Sequence, residues 1–178
     1  MRILPILLSL LLFVACKPKR SARQPIPVSE DTTFLTGTFY IIRHAERHPG
    51  FDSTLTPAGQ ERAGALYRLL KDSGLNKIYT TPFKRTIATA DSLRIYQHLD
   101  TCIYAADTSG ESFIYQVTRH EDWGKRILVV GHSNTIIPLL HSLRATAPRV
   151  DSIGEQEYDR MFIVRKNKDG TTLKEICY

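Results

Sequence analysis

The sequence predicts one α/β domain of three layers (α/β/α), with a mostly parallel central sheet between two layers of helices and a hairpin at the carboxyl end. Segments with the patterns of strands and helices alternate from residue 39 to residue 143, as in folds built from parallel strands and crossover helices. Two of the strand segments are continuous apolar runs, which indicates burial on both faces. The 178 residues, 42% of them hydrophobic, suffice for one packed core and are too few for two.

The amino-terminal residues have the pattern of an export signal. Met1-Arg2 precede an apolar run over residues 3–14, which ends at Ala15-Cys16. The twelve residues of this run fall short of the roughly 20 that a membrane-spanning helix needs. The residues Phe13-Val14-Ala15-Cys16 resemble a bacterial lipobox. The resemblance implies removal of residues 1–15 as a lipoprotein signal peptide, a lipid on Cys16, and a protein that is anchored at the bacterial cell envelope and faces the periplasm.

Residues 16–36 are predicted to be a flexible tether, and residues 37–178 the folded domain. The tether is rich in Pro, Ser, Arg and Lys and has no sustained apolar period. Its basic residues would lie beside an anionic membrane surface, and they are Lys17, Lys19, Arg20 and Arg23. The other basic residues of this chain of formal net charge +6 are scattered, and no aromatic platform accompanies them. We therefore expect a membrane partner and no nucleic acid.

The first strand is predicted at Phe39 to Ile42, and it ends at Arg43-His44. A loop follows at Pro49-Gly50. Thr56 and Pro57 then supply an N-cap and a proline at the first helical position. The apolar face of this helix is formed by Ala63, Leu66, Leu69 and Leu70, and its end is marked by Ser73-Gly74.

The second strand, Lys77 to Thr80, leads through Thr81-Pro82 into another helix. The apolar residues of this helix are expected at Phe83, Ile87 and Ala90, with Arg85 in the first turn. A short strand is expected at residues 102–104 and a helix at residues 111–121.

The clearest buried strand covers residues 127–130 and ends at Gly131-His132, before a helix that runs to Leu143. Residues 161–165 and 172–176, on either side of a polar turn with Gly170, predict the carboxyl-terminal hairpin. Ligands of parallel sheets bind at the carboxyl ends of the strands. We therefore expect His44 and His132 on the ligand-binding edge.

Four segments, in this order along the chain, resemble the histidine phosphatase (phosphoglycerate mutase-like) superfamily, in its small single-domain branch. They are Arg43-His44-Ala45-Glu46, Leu55-Thr56-Pro57-Ala58-Gly59, Thr81-Pro82-Phe83-Lys84-Arg85-Thr86 and Gly131-His132-Ser133. One Arg-His pair would be weak evidence, whereas four ordered motifs in a matching structural setting are strong.

The resemblance implies a phosphatase that works through a phosphohistidine on His44, without a cofactor or metal. Arg43 and Arg85 would hold the phosphoryl oxygens, a task suited to the planar and permanently charged guanidinium group. His132 would stabilise the transition state by hydrogen bonds. Arg47 and Ser133 are further candidates for contact with a phosphorylated small molecule or a phosphoprotein.

Many members of the superfamily protonate the leaving oxygen with a carboxylate between the second arginine and the second histidine. Here the candidates are Glu111 and Asp107, of which we expect Glu111; members without a dedicated acid favour phosphoramidates or anhydrides. Glu46, beside the pocket, is expected to orient an arginine through a salt bridge.

His44 and His48 are four residues apart, a spacing that binds metal on a helix, but they follow a strand and precede Pro49-Gly50. No metal site is therefore expected. Cys102 and Cys177 lack neighbours at zinc-ligand spacing, which leaves free thiols or one disulfide.

Three other functions compete with the phosphatase, and one of them, a purely structural envelope protein, would leave the four motifs unexplained. A phosphoglycerate-type mutase would have to return the phosphoryl group to a bound sugar acid, for which a short exported chain is poorly suited. A non-catalytic lipoprotein that binds a phosphorylated ligand would not need His44 as a nucleophile.

Overall fold

The computed structural model of the chain describes residues 35–145 and 151–178, which form one mixed sheet of six strands flanked by four helices. The strands are β1 (Gly37–Arg43), β2 (Lys77–Thr80), β3 (Asp100–Ile103), β4 (Arg126–Gly131), β5 (Arg160–Asn167) and β6 (Gly170–Cys177). The helices are α1 (Pro57–Leu70), α2 (Lys84–Tyr96), α3 (Glu111–Arg119) and α4 (Ser133–Ser142). The strand order across the sheet is β3-β2-β4-β1-β5-β6.

The four strands β3, β2, β4 and β1 run parallel. β5 pairs antiparallel with β1, and β6 pairs antiparallel with β5, so β6 has the direction of the four parallel strands. The apolar runs predicted at residues 39–42 and 127–130 lie side by side in β1 and β4, and all eight residues are buried. Alternate residues of the runs pack on opposite faces. One face is covered by α1 and α2 and the other by α3 and α4. The predicted three-layer α/β fold is confirmed.

Most element boundaries differ by one to three residues from the sequence prediction, and the start of the folded domain also differs. β3 begins at Asp100, two residues earlier than predicted, where it pairs with Lys77 of β2. Leu35 was assigned to the tether, but it is only 3% exposed and belongs to the core beside α3 and α4. The rest of the predicted signal and tether, including Cys16, lies outside the described residues. None of the helices within the described ranges is long and apolar enough to cross a membrane.

The buried face of α2 was predicted only in part, since Ala90 is buried as expected. Phe83 and Ile87 are only partly buried, and the residues of the helix that are buried are Thr86, Thr89, Ala90 and Leu93. The threonines can be buried because their hydroxyls find backbone partners. Thr86 Oγ1 donates to the carbonyl of Phe83 at 2.8 Å, and Thr89 Oγ1 donates to that of Arg85 at 2.7 Å.

The two cysteines are free thiols on opposite edges of the sheet. Cys102 is in β3 and Cys177 ends β6, so five strand spacings of about 4.8 Å separate them, or about 24 Å. A disulfide requires Cα atoms within about 7 Å. The disulfide alternative is therefore excluded.

The first turn of α1 packs directly on the backbone that follows β1. The Thr56 N-H donates to the carbonyl of Glu46 at 2.9 Å, and Thr56 Oγ1 caps the helix by accepting from the Gly59 N-H at 3.1 Å. A Cβ atom on Gly59 would lie 2.1 Å from the same Glu46 carbonyl oxygen. Gly59 is therefore required for the close approach of α1 to the loop that carries His44.

We expect Gly59→Ala to lower the free energy of unfolding by about 1–3 kcal/mol, because the added methyl group has to displace the Glu46 backbone. Gly64→Ala is the matched control in the same helix. Its Cβ would meet only the mobile end of Arg68, at 3.4 Å, and the better helix propensity should add about 0.5–1 kcal/mol. Urea denaturation measures both values, and equal effects of the two substitutions would contradict this explanation of Gly59.

Candidate active site

A polar cavity of about 380 Å³ opens at the carboxyl ends of β1 and β4, on the edge predicted from the sequence. Its lining residues come from the loops after β1 and β4, the first turn of α2 and the segment that precedes β5. They are Arg43, His44, Arg47, His48, Pro49, Arg85, His132, Ser133, Asn134, Glu155, Gln156 and Tyr158. Three arginines and one carboxylate among them make the pocket strongly cationic.

The pairing of β1 with β4 brings the two predicted histidines together. Arg43 is in register with Gly131, and the His44 N-H continues the ladder to the Gly131 carbonyl at 3.0 Å. The next residue on β4 is His132. The two imidazole rings are therefore neighbours, with centroids 5.4 Å apart.

The environment of His44 fixes its tautomer. Nδ1 lies 2.8 Å from the Ala45 carbonyl, which can only accept, so Nδ1 carries the proton and Nε2 keeps its lone pair. The side chain is buried, and burial lowers the pKa of His44 to about 4, with Arg43, Arg85 and Arg47 acting in the same direction against the Ala45 hydrogen bond. At neutral pH the ring is uncharged. The Ala45 N-H donates to Thr89 Oγ1 at 2.9 Å, which connects the loop that carries His44 to α2.

His132 is also held neutral, in the opposite tautomer. Arg85 Nη2, which can only donate, lies 3.3 Å from Nδ1, so the proton is on Nε2 and points to Thr81 Oγ1 at 2.9 Å. Burial lowers the pKa of His132 to about 3, and the charges of Arg85, His44, Arg43 and Arg47 add to the effect. The unprotonated Nδ1 is the nitrogen beside the arginine.

Arg85 is held at the pocket by the first turn of α2 and by the loop after β1. Its Nη1 donates to the carbonyl of Phe51 at 3.0 Å, and the guanidinium carbon lies 4.2 Å from the centre of the Phe83 ring. Burial and the charge of Arg47 lower the pKa of Arg85 from its ordinary value. The guanidinium nevertheless stays charged at any relevant pH.

Arg43 is fixed by a segment that contains none of the four motifs. Its Nη1 donates to the carbonyls of Gly154 and Glu155, both at 2.8 Å, and the Tyr158 ring lies 4.0 Å from the guanidinium carbon. Residues 154–158 thereby form one wall of the pocket, which sequence reasoning missed. The available signal was the hairpin: because β5 runs antiparallel to β1, the residues before β5 must lie at the carboxyl end of β1.

The structure places the other predicted contact residues at the rim. Ser133 and Asn134 line the pocket at the amino end of α4, where the helix dipole favours an anion. Arg47 and His48 line it on the opposite loop. Arg47 Nη1 donates to the carbonyls of His48 and Gly50, at 3.0 and 2.7 Å, so Arg47 also shapes this loop.

The structure does not bring Glu111 to the pocket, and our assignment of this residue as the acid is corrected. Ser142 Oγ donates to the Ser109 carbonyl at 2.6 Å, so α3 begins beside the end of α4. That point is nine residues beyond Ser133, about 13 Å along the helix. Asp107 caps α3 instead, since its carboxylate accepts from the N-H groups of Gly110 and Ser112 at 2.6 and 2.7 Å.

Glu46 forms the expected salt bridge, and its partner is Arg62 of α1. Its carboxylate accepts three hydrogen bonds from the Arg62 guanidinium at 2.8 to 2.9 Å. Burial would raise the pKa of Glu46, but the hydrogen bonds and charge of Arg62 lower it overall. The carboxylate is thereby directed to α1. In the described ranges, no group of three or more His, Cys, Asp or Glu side chains is arranged to hold a metal ion.

Comparisons with known proteins agree with this geometry. The model of the histidine phosphatase superfamily (branch 1) matches residues 39–105, which include Arg43, His44 and Arg85. No curated protein is a detectable sequence relative of the chain.

Several solved structures share the fold. The protein histidine phosphatase SixA, complexed with tungstate, is 16% identical with a TM-score of 0.60, and the match covers 79% of this chain and 96% of SixA. The alpha-ribazole phosphatase from Shigella flexneri is 15% identical with a TM-score of 0.59, over 79% and 96%. A mycobacterial glucosyl-3-phosphoglycerate phosphatase bound to inorganic phosphate is 12% identical with a TM-score of 0.60, over 80% and 96%.

At such low identities the solved structures establish the fold, and the family match adds the residues of the pocket. Over residues 39–105 the chain is therefore similar to the histidine phosphatase superfamily, and its fold is shared with the solved phosphatases.

Proposed function

We propose that the chain is a metal-independent phosphatase that transfers the phosphoryl group of its substrate to Nε2 of His44 and then to water. The observation that carries the proposal is the state of His44: Nδ1 is committed to the Ala45 carbonyl, which leaves the Nε2 lone pair available. A neutral imidazole is the form that can attack phosphorus.

The charges of the pocket suit the substrate of such a reaction. Arg43, Arg47 and Arg85 surround the nucleophile, and the amino end of α4 adds a favourable dipole. In the first step the bond from Nε2 to phosphorus forms while the bond to the leaving oxygen breaks. The arginines neutralise the equatorial oxygens, so catalysis depends on position and electrostatics.

His132 is placed to respond to the bound phosphoryl group. Its low pKa results from burial and from positive neighbours, and a dianion in the pocket opposes both effects. A proton gained at Nδ1 would then be donated to a phosphoryl oxygen. In the second step water attacks the phosphohistidine, phosphate leaves, and His44 returns to its starting state.

The substrate is a phosphorylated small molecule or a phosphoprotein. The pocket is polar, and its lining includes the exposed residues His48 and Gln156, which leaves room for varied leaving groups. The proteins of similar fold are named as a protein histidine phosphatase, an alpha-ribazole phosphatase and a glucosyl-3-phosphoglycerate phosphatase, so the fold alone does not select among these classes.

We also propose that the enzyme acts at the cell envelope, with a lipid on Cys16 as its anchor. The support is the sequence pattern of residues 1–16, which the basic residues of the tether reinforce.

His44→Ala should lower kcat/KM by about 10³-fold or more, because no other group can form the covalent intermediate. The assay is phosphate release from 4-nitrophenyl phosphate by the full chain, with EDTA present. Inorganic phosphate should still bind the variant, as measured by calorimetry, since the arginines remain. His120→Ala, at the exposed end of α3, is the matched control and should retain wild-type activity.

Two results would contradict this mechanism. An alanine variant with substantial turnover would exclude His44 as the nucleophile. Loss of wild-type activity in EDTA, restored by a divalent cation, would show that the reaction needs a metal.

The rings of His44 and His132 should remain neutral as the pH falls from 8 to 5, because their folded-state pKa values, about 4 and about 3, lie below the ordinary 6.5. The unfolded chain binds protons at these residues below pH 6.5, so their contribution to stability is present above that pH and is lost as the pH falls toward 4. Ring resonances in NMR spectra follow both titrations. A His44 ring that titrates near pH 6.5 would contradict the assigned burial.

Cys16→Ser should abolish lipid attachment and leave an unanchored chain. Metabolic labelling with a radioactive fatty acid, followed by membrane fractionation, tests this. Label that remains on the Cys16→Ser variant, or wild-type protein without label, would exclude the lipoprotein assignment.

A further inference from the structure

The wall formed by residues 154–158 brings one carboxylate to the pocket. The Glu155 carbonyl accepts from Arg43 at 2.8 Å, so the backbone of this residue is fixed beside a phosphate-binding arginine. Glu155 lines the same cavity as His44, and the charge of its carboxylate acts on the Arg43 guanidinium. Within the described residues, the Glu155 carboxylate makes no hydrogen bond or salt bridge of its own.

The neighbouring carboxylates are all engaged elsewhere. Glu46 is bound to Arg62, and Asp107 caps α3. Asp52 accepts from the Lys84 N-H at 2.8 Å. Glu157, in the same wall as Glu155, accepts from the Gly154 N-H at 2.8 Å and from Arg160 at 3.2 Å. Among these acidic residues, Glu155 is therefore the one that lines the cavity while its carboxylate is not bound to another protein group.

We propose that Glu155 is the proton donor to the leaving group, an inference that rests on the phosphatase function proposed above. As His44 Nε2 bonds to phosphorus and the phosphorus-oxygen bond breaks, the Glu155 carboxyl transfers its proton to the departing oxygen, which leaves as an alcohol. The resulting carboxylate then accepts a proton from the water that attacks the phosphohistidine. This returns Glu155 to the acid form, so the enzyme gains and loses no proton over the two steps.

A proton donor at this position defines the substrate class. An alkoxide is a poor leaving group, and general acid catalysis of its departure contributes about 10²–10⁴-fold. Phosphoramidates, anhydrides and activated aryl esters need little such help. The geometry thus points to phosphate monoesters of ordinary alcohols as the substrates on which this wall of the pocket acts.

The test is the dependence of kcat/KM on the leaving group, compared between the wild-type full chain and Glu155→Gln. The probes are 4-nitrophenyl phosphate, phenyl phosphate and glycerol phosphate, and kcat/KM is used because it reports the first chemical step. Glu155→Gln should lose about 10²-fold or more on glycerol phosphate, less on phenyl phosphate and about threefold or less on 4-nitrophenyl phosphate.

Glu157→Gln is the matched control, because it alters a carboxylate of the same wall that is bound to the protein. If a substitution only loosened residues 154–158, Arg43 would be disturbed, and kcat/KM would fall by a similar factor for all three esters. A loss on Glu155→Gln that is equal for the three leaving groups would therefore overturn the proton-donor role and indicate positioning alone. No loss would overturn it as well.

The proposed function can fail separately from this inference. Wild-type protein that releases no phosphate from any of the esters in a His44-dependent manner would overturn the phosphatase mechanism and the proton donor together. The second case is activity on 4-nitrophenyl phosphate that depends on His44, together with a loss of kcat/KM in Glu155→Gln that is equal for the three leaving groups. This result would overturn the proton donor only.

Discussion

The parallel pairing of β1 with β4 is the constraint on which the rest of the site depends. One register, Arg43 opposite Gly131, determines that His44 and His132 leave neighbouring strands at the same level. A shift of one residue would turn each side chain to the other face of the sheet. The register is secured by eight buried apolar residues, packed by α1 and α2 on one face and by α3 and α4 on the other. The packing that buries the core therefore also aligns the two histidines.

The same burial sets the chemistry of the histidines. Lowering the pKa of His44 from 6.5 to about 4 means that a proton on the free ring costs roughly 3 kcal/mol more than in water. Desolvation is the first cause, and the nearby arginines act in the same direction. The positive charge of the pocket thus favours an anionic ligand and also keeps His44 unprotonated. An uncharged polar pocket would lack both effects.

The parts of the fold that depend on local pattern could be predicted from the sequence. The apolar runs of β1 and β4 and the Thr56-Pro57 start of α1 are of this kind, and with the four motifs they located His44, His132, Arg43 and Arg85. The wrong predictions have non-local causes. The buried face of α2 contains threonines whose hydroxyls are satisfied by backbone carbonyls, and Glu155 joins the site only because β5 pairs with β1. Neither feature has a periodic signal in the chain.

The arrangement divides the pocket into two parts with different origins. One side is built from strand ends and a helix start, which hold His44, His132 and Arg85. The other side is built from two loops, and backbone carbonyls of each accept hydrogen bonds from an arginine: Arg47 donates to Gly50, and Arg43 donates to Gly154 and Glu155. A guanidinium group has five N-H donors, so Arg43 can bind a loop through Nη1 and still direct other donors to a phosphate. A lysine has one ammonium group and could not span both tasks, which is the structural reason for arginine at the end of β1.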